Sequence, residues 1–142
     1  MGATADPAAD QTAAAKLGFR QGQLVQEFGW DEGVDDDFRL AVENITGGEL
    51  LDEDADDVAD IALCWFRDGE GDLVDALVDA TTNLAEGGIV WLLTPKQGRP
   101  GHVEPADINE AAPTAGLHAT TSVSASANWA GTRMTTPKNG RR

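Results

Sequence analysis

The sequence predicts a single small α/β domain with a mostly parallel sheet and a C-terminal antiparallel hairpin. Two apolar runs at 58–66 and 89–94 carry most of this expectation, each of strand length and bounded by charge or glycine. Between them Leu73, Leu77, Ala80 and Leu84 recur at helical spacing, so the unit reads strand–helix–strand, a right-handed parallel crossover. Further on, Thr121, Val123 and Ala125 alternate with Ser122, Ser124 and Ser126, the period of a half-exposed strand.

The elements follow in order. Residues 1–15 are mainly alanine, aspartate and threonine without apolar periodicity, and 137–142 are polar and basic. Both are expected as mobile tails around a domain at 16–136. Segment 23–28 follows the Gly22 turn and is expected as the first strand. Phe38, Val42 and Ile45 fall three to four apart and predict a helix that stops at Gly47-Gly48. Residues 49–51 are a candidate short strand before the acidic loop 52–57. The helix that starts near Leu73 keeps Asp72, Asp75 and Asp79 on its wet side, with early acids suiting the helix dipole. It is expected to reach Leu84 and stop at Gly87-Gly88. A further helix starts at Pro105 and turns Ile108, Ala111 and Ala112 inward until Pro113 breaks or kinks it. Trp129-Ala130-Gly131 is expected as the hairpin loop and 132–136 as its second strand.

A chain of 142 residues allows one domain with a real core. Its single cysteine makes no internal disulfide. The start lacks a basic n-region and an apolar stretch, and no run reaches the roughly 18 apolar residues of a membrane span. A cytoplasmic protein is the expectation. The net charge is −15 and unevenly placed. Positions 31–79 hold 18 acidic residues against Arg39 and Arg67, a local net of −16; positions 96–142 hold six basic residues against three acidic, a local +3. The acidic half repels phosphates, so nucleic acid is not an expected partner. A basic protein partner would be attracted, and solubility alone also accounts for the charge.

Gly69-Glu70-Gly71 sits where a dinucleotide fingerprint would sit, but Val74 takes the third glycine position and Asp68, Glu70 and Asp72 repel a pyrophosphate. The same carboxylates, with Asp79 beyond them, resemble the start of a calcium loop. Leu73 stands where that loop needs glycine and Asp79 falls on a well-patterned helix, so the acids are expected as a solvated turn and no metal site is expected. Loop 96–102 differs. It leaves the carboxyl end of a buried strand, the edge where open α/β sheets bind ligands. Lys96, Arg99 and His102 are the candidate anion-binding residues there: Arg99 as a planar fork, Lys96 as a point charge, His102 as an added donor. The alternative is a stiff surface loop whose cations pair with the acidic half.

Cys64 lies inside an apolar run and is expected as a buried hydrophobe. His102 and His118 have neither metal-pair nor triad spacing, and the hairpin serines lack a nucleophile elbow, so no catalytic residue is expected. Trp65 and Trp91 are expected in the core. Trp30 and Trp129 are expected to plug its edges.

The stretch Val58-Ala59-Asp60-Ile61-Ala62-Leu63, followed by Leu84-Ala85-Glu86-Gly87-Gly88-Ile89-Val90-Trp91-Leu92, resembles the later half of a class I methyltransferase. Lys16-Leu17-Gly18-Phe19, Gln26-Glu27-Phe28-Gly29-Trp30-Asp31, Trp91-Leu92-Leu93-Thr94-Pro95-Lys96 and Gly98-Arg99-Pro100-Gly101-His102-Val103 carry a more specific likeness. So does Asp68-Gly69-Glu70-Gly71-Asp72-Leu73-Val74-Asp75-Ala76-Leu77. On these the chain is similar to an actinobacterial family, domain of unknown function 3052, across nearly all of 16–138. The resemblance implies a Rossmann-like, methyltransferase-like scaffold and no established reaction. Methyltransferases carry a glycine-rich turn after the first strand; here Phe28-Gly29-Trp30-Asp31-Glu32-Gly33 puts Trp30 and two acids there, so no cofactor is expected. The functional expectation is a non-catalytic scaffold acting through protein contacts on an acidic surface. The alternative is a small-molecule anion binder or enzyme using loop 96–102.

Overall fold

Strands β1 (Val25–Phe28), β2 (Ala59–Trp65), β3 (Leu84–Pro95), β4 (His118–Ser124) and β5 (Trp129–Thr135) form one sheet in the order β1-β2-β3-β5-β4. The computed structural model describes residues 14–136. Of the tails expected at 1–15 and 137–142, residues 1–13 and 137–142 lie outside the described residues, while 14 and 15 are helical and Ala14 is fully buried, so ordered structure begins before residue 16. β1, β2 and β3 run parallel, while β5 is antiparallel to both β3 and β4. The sheet is therefore mixed, with the expected parallel pairs and a closing antiparallel hairpin, and as many antiparallel pairings as parallel ones. Among the described residues no helix is long and apolar enough to cross a membrane.

Helix α1 (Asp36–Thr46) begins where Asp35 accepts a hydrogen bond from the Phe38 N–H at 3.0 Å. It ends at Gly47, whose φ of 87° supplies the left-handed cap. Its inner face buries Phe38, Ala41 and Val42. Beyond it, the expected strand at 49–51 is reduced to one residue. Leu51 bridges Gln26, donating to Val25 O at 2.9 Å and accepting from Glu27 N at 2.8 Å. Leu24 O, of the opposite parity, accepts from Asp60, so Leu51 lies on the edge of β1 away from β2.

Helix α2 (Leu73–Ala80) is shorter than the periodicity predicts. Thr81, Thr82 and Asn83 form a turn, and Leu84 opens β3 opposite Ala59 rather than closing the helix. Two threonines and an asparagine are weak helix formers, and Ala59 N donates to Asn83 O at 2.9 Å, so sheet pairing wins. Ile89 then pairs with Ile61, so 85–88 bulge outward through Gly87 at φ 78°. Helix α3 (Pro105–Thr114) starts at Pro105, as expected; Pro113 falls in its last turn and does not break it earlier. In the hairpin, Trp129, Ala130 and Gly131 belong to β5 and pair with Pro95, Thr94 and Leu93, so the loop is 125–128 instead. Gly131 allows this approach, because a Cβ there would stand 3.2 Å from the Trp91 ring.

Two cores result. Val25, Ile61, Leu63, Trp65, Trp91 and Leu93 face α1 and the segment from Ala14 to Phe19. Ala62, Cys64, Val90, Leu92 and Met134 face α2 and α3. Residues 61 to 65 alternate between the two, which is why 61–66 is apolar throughout, while Asp60 before it is exposed. Phe19, Phe38, Trp65 and Trp129 join edge-to-face with centroids 6.2, 6.2 and 4.8 Å apart.

Candidate functional site

The strand order reverses beside β1. From β1 the chain runs through α1 to Leu51 on one side, then returns to β2 on the other. α1 and α2 accordingly cover opposite faces. Open α/β sheets hold ligands outside the carboxyl ends of their strands at such a reversal. A cleft of about 470 Å³ lies there, formed by Phe28 and Gly29 after β1, Cys64, Trp65 and Phe66 at the end of β2, and Ala76 on α2.

Five carboxylates line it: Glu53, Glu70, Asp72, Asp75 and Asp79. The acidic loop that brings Glu53 is held by amides. Buried Gln26 donates Nε2 to Asp52 O and Ala55 O at 3.1 and 3.0 Å, and Asn83 Nδ2 donates to Ala55 O at 2.6 Å. Main-chain carbonyls take these bonds, so the two amides hold the loop without engaging its carboxylates. Glu53 Oε1 itself accepts from Gly29 N at 3.4 Å. Asp72 caps α2 by accepting from Val74 N and Asp75 N at 2.8 and 3.4 Å. Glu70 pairs with Arg67 at 3.2 Å. Two acids of the calcium-like sequence thus have other partners, and among the described residues no three His, Cys, Asp or Glu gather to hold a metal.

The turn after β1 is closed by an ion pair. Arg67 Nη1 meets Asp31 Oδ2 at 2.6 Å and Nη2 meets Oδ1 at 3.2 Å. The guanidinium holds the Asp31 carboxyl below its ordinary pKa, and Asp31 in turn raises that of Arg67. Gly29 sits at φ 75°, and a Cβ there would lie 2.3 Å from Trp65 O. Trp30 does not plug the core edge: it is 52% exposed, with Arg39 Cζ 5.7 Å from its ring centre. Trp129 is buried as expected, under Arg67 at 5.1 Å.

Behind the turn, buried Glu27 accepts from Arg39 Nε at 2.6 Å, Arg39 Nη2 at 2.8 Å and Trp65 Nε1 at 2.7 Å. Glu27, Asp31, Arg39 and Arg67 were missed by motif reasoning. One signal was available: Arg39 and Arg67 are the two cations within the acidic half, and each is fixed by carboxylates.

Lys96, Arg99 and His102 share one loop, closed by Arg99 N to Lys96 O and His102 N to Arg99 O, both 3.1 Å. The His102 ring is engaged at Pro95 O, 3.0 Å, and lies 3.5 Å from Glu104. Arg99 is exposed and Lys96 half-buried; among the described residues neither pairs with an acid within 4.0 Å. The loop approaches the ion pair at Gly101, whose carbonyl accepts from Asp68 N at 2.8 Å beside the Arg67 stem. Cys64 is buried, and burial pushes its thiol up to about 12.

A five-stranded mixed sheet with helices on both faces and a reversal at β1 defines a methyltransferase-like, Rossmann-like scaffold. Solved structures share it. A SAM dependent methyltransferase from Aquifex aeolicus superposes with a TM-score of 0.60 at 12% identity, covering 94% of this chain and all of that one. A methyltransferase from Thiobacillus denitrificans in complex with S-adenosyl-L-homocysteine gives 0.57 at 11% identity, covering 93% and 92%. The chain belongs to the family described as "Protein of unknown function (DUF3052)", matched over residues 14–138. Uncharacterized proteins of Mycobacterium tuberculosis and Mycobacterium bovis are 59% identical over 126 residues, 89% of this chain and 79% of theirs.

Proposed function

We propose that this chain is a non-catalytic methyltransferase-like scaffold that works by binding a positively charged protein partner on the acidic carboxyl edge of its sheet. The observation that carries this reading is the Asp31–Arg67 pair, which ties down the turn where a cofactor would be cradled. The residues present do not fit an S-adenosyl group. The Gly29 turn is already packed against Trp65 O, 2.3 Å from where a Cβ would stand, and the Arg67 guanidinium lies against Gly33 at the other end of that turn. The α1 N-terminus offers no substitute, because Asp35 caps it and Asp36 and Asp37 follow.

What the edge does offer is negative charge with few cations near it, which favours a basic ligand and raises its encounter rate. Calorimetry tests both halves. S-adenosylmethionine and S-adenosyl-L-homocysteine are expected to give no binding heat, whereas a lysine-rich polypeptide binds with an affinity that falls as salt rises. Replacing Lys96 and Arg99 by Ala leaves that binding intact. Micromolar affinity for either S-adenosyl compound would sink the reading.

A further inference from the structure

We infer that the groove between α2 and α3 docks a basic amphipathic helix of a partner protein, an inference that rests on the basic-partner reading above. The two helices lie side by side on one face of the sheet. The groove between them, about 280 Å³, has an apolar floor of Phe66, Leu73, Val74, Val103 and Ala111. Phe66, Val103 and Ala111 are buried there and Leu73 and Val74 are half-buried, so the last two supply the accessible apolar surface. The rim carries Asp68 and Asp72 on one side and Asp107 and Glu110 on the other. Among the described residues none of these four has a cation within 4.0 Å. One turn beyond Val74, Val78 extends the apolar strip and is 47% exposed.

Apolar floor and acidic rim together specify the occupant. A helix that lays its aliphatic face along the Leu73, Val74 and Val78 strip puts flanking lysines or arginines against both rims. An extended strand gains less, because no sheet edge borders the groove to pair with its backbone. A nucleic acid is repelled by the rim. A second copy would bring net −15 against the same carboxylates. The groove also shares Phe66 and Asp72 with the switch-point cleft, so an occupant here lies on the edge assigned to the partner.

The test uses the full chain, isotope-labelled, titrated with a helical leucine–lysine amphipathic peptide. Oligolysine and a leucine–glutamate helix serve as comparisons. The expected result is shifts at Leu73, Val74, Val78 and Ala111, no binding of the glutamate helix, and oligolysine weaker by about tenfold or more. Replacing exposed Asp107 by Asn together with Glu110 by Gln weakens the leucine–lysine peptide by about tenfold without changing the melting temperature. Shifts confined to Glu53 and Asp79, unmoved by that double variant, overturn the groove and leave the basic-partner reading standing. Equal binding of oligolysine also overturns the groove, since charge alone then suffices. If no basic peptide binds, both readings fall. Groove shifts that grow with protein concentration alone, beside a dimer mass, put a second copy there and overturn the inference.

Discussion

Arg67 and Asp31 meet across 36 residues of chain through two contacts, Nη1 to Oδ2 at 2.6 Å and Nη2 to Oδ1 at 3.2 Å. The pair ties the turn after β1 to the loop after β2. The same guanidinium covers the Trp129 ring and touches Glu70, and the Arg67 stem lies where a side chain at Gly101 would be. One residue therefore braces four segments of the sheet's carboxyl edge.

Replacing Arg67 by Lys should cost about 1–3 kcal/mol, because an ammonium keeps the charge but loses the two-pronged contact and the flat face over Trp129. Urea unfolding of the two proteins measures it. A loss below about 0.5 kcal/mol would mean the pair is an ordinary surface contact.

The same pair sets an acid limb. Asp31 has a folded pKa below its unfolded value, so its contribution is complete above the unfolded value and is lost as pH falls through the folded one. The stability gap between the native chain and Asp31→Asn should be constant near neutrality and shrink on acidification. Urea titrations from about pH 6 down to about pH 3 test this; a gap that widens toward acid refutes the assignment.

Gly29→Ala should destabilise by about 2 kcal/mol or more, or fail to fold, since φ is 75° and the new methyl would meet Trp65 O at 2.3 Å. Gly47→Ala shares the positive φ but has nothing within 4 Å, so about 1 kcal/mol is expected there. Equal losses at the two sites would show that the close approach to Trp65 is not what requires glycine.

Leu77 is fully buried and Val78, its neighbour, is 47% exposed. Leu77→Ala should lose about 2–5 kcal/mol and Val78→Ala under about 0.5 kcal/mol. Denaturant midpoints of the two variants check which face of α2 meets the sheet.

Cys64, with its thiol pushed up to about 12 by burial, should resist iodoacetamide in the native chain and react once unfolded. The unfolded thiol ionises at lower pH than the folded one, so stability falls as pH rises from about 8.5 toward the folded value. Cys64→Ala removes that part of the alkaline limb. Rapid native labelling would place Cys64 at the surface.

The apolar runs by themselves determined the strand–helix–strand unit, the closing hairpin and the burial of Trp65, Trp91 and Cys64, because period and bounding charge are local properties of the chain. They also marked the acidic half and its two cations. Where α2 ends was not legible. The leucine at 84 fits either a helix stripe or a strand, and only pairing with Ala59 decides between them. The Trp129-Ala130-Gly131 segment reads as a loop until Trp65 and Pro95 are beside it. Trp30 is turned outward although its sequence neighbours do not show it, since the space inside the turn goes to Arg67, distant in the chain. The reversal at β1 rests on one bridging residue, Leu51; residues 49–51 read as a short strand, but nothing in them says which edge of β1 they join. Sequence periodicity records which side of an element is apolar; tertiary structure alone decides which distant side chain reaches a turn first, because that contact depends on the placement of two strands rather than on either one.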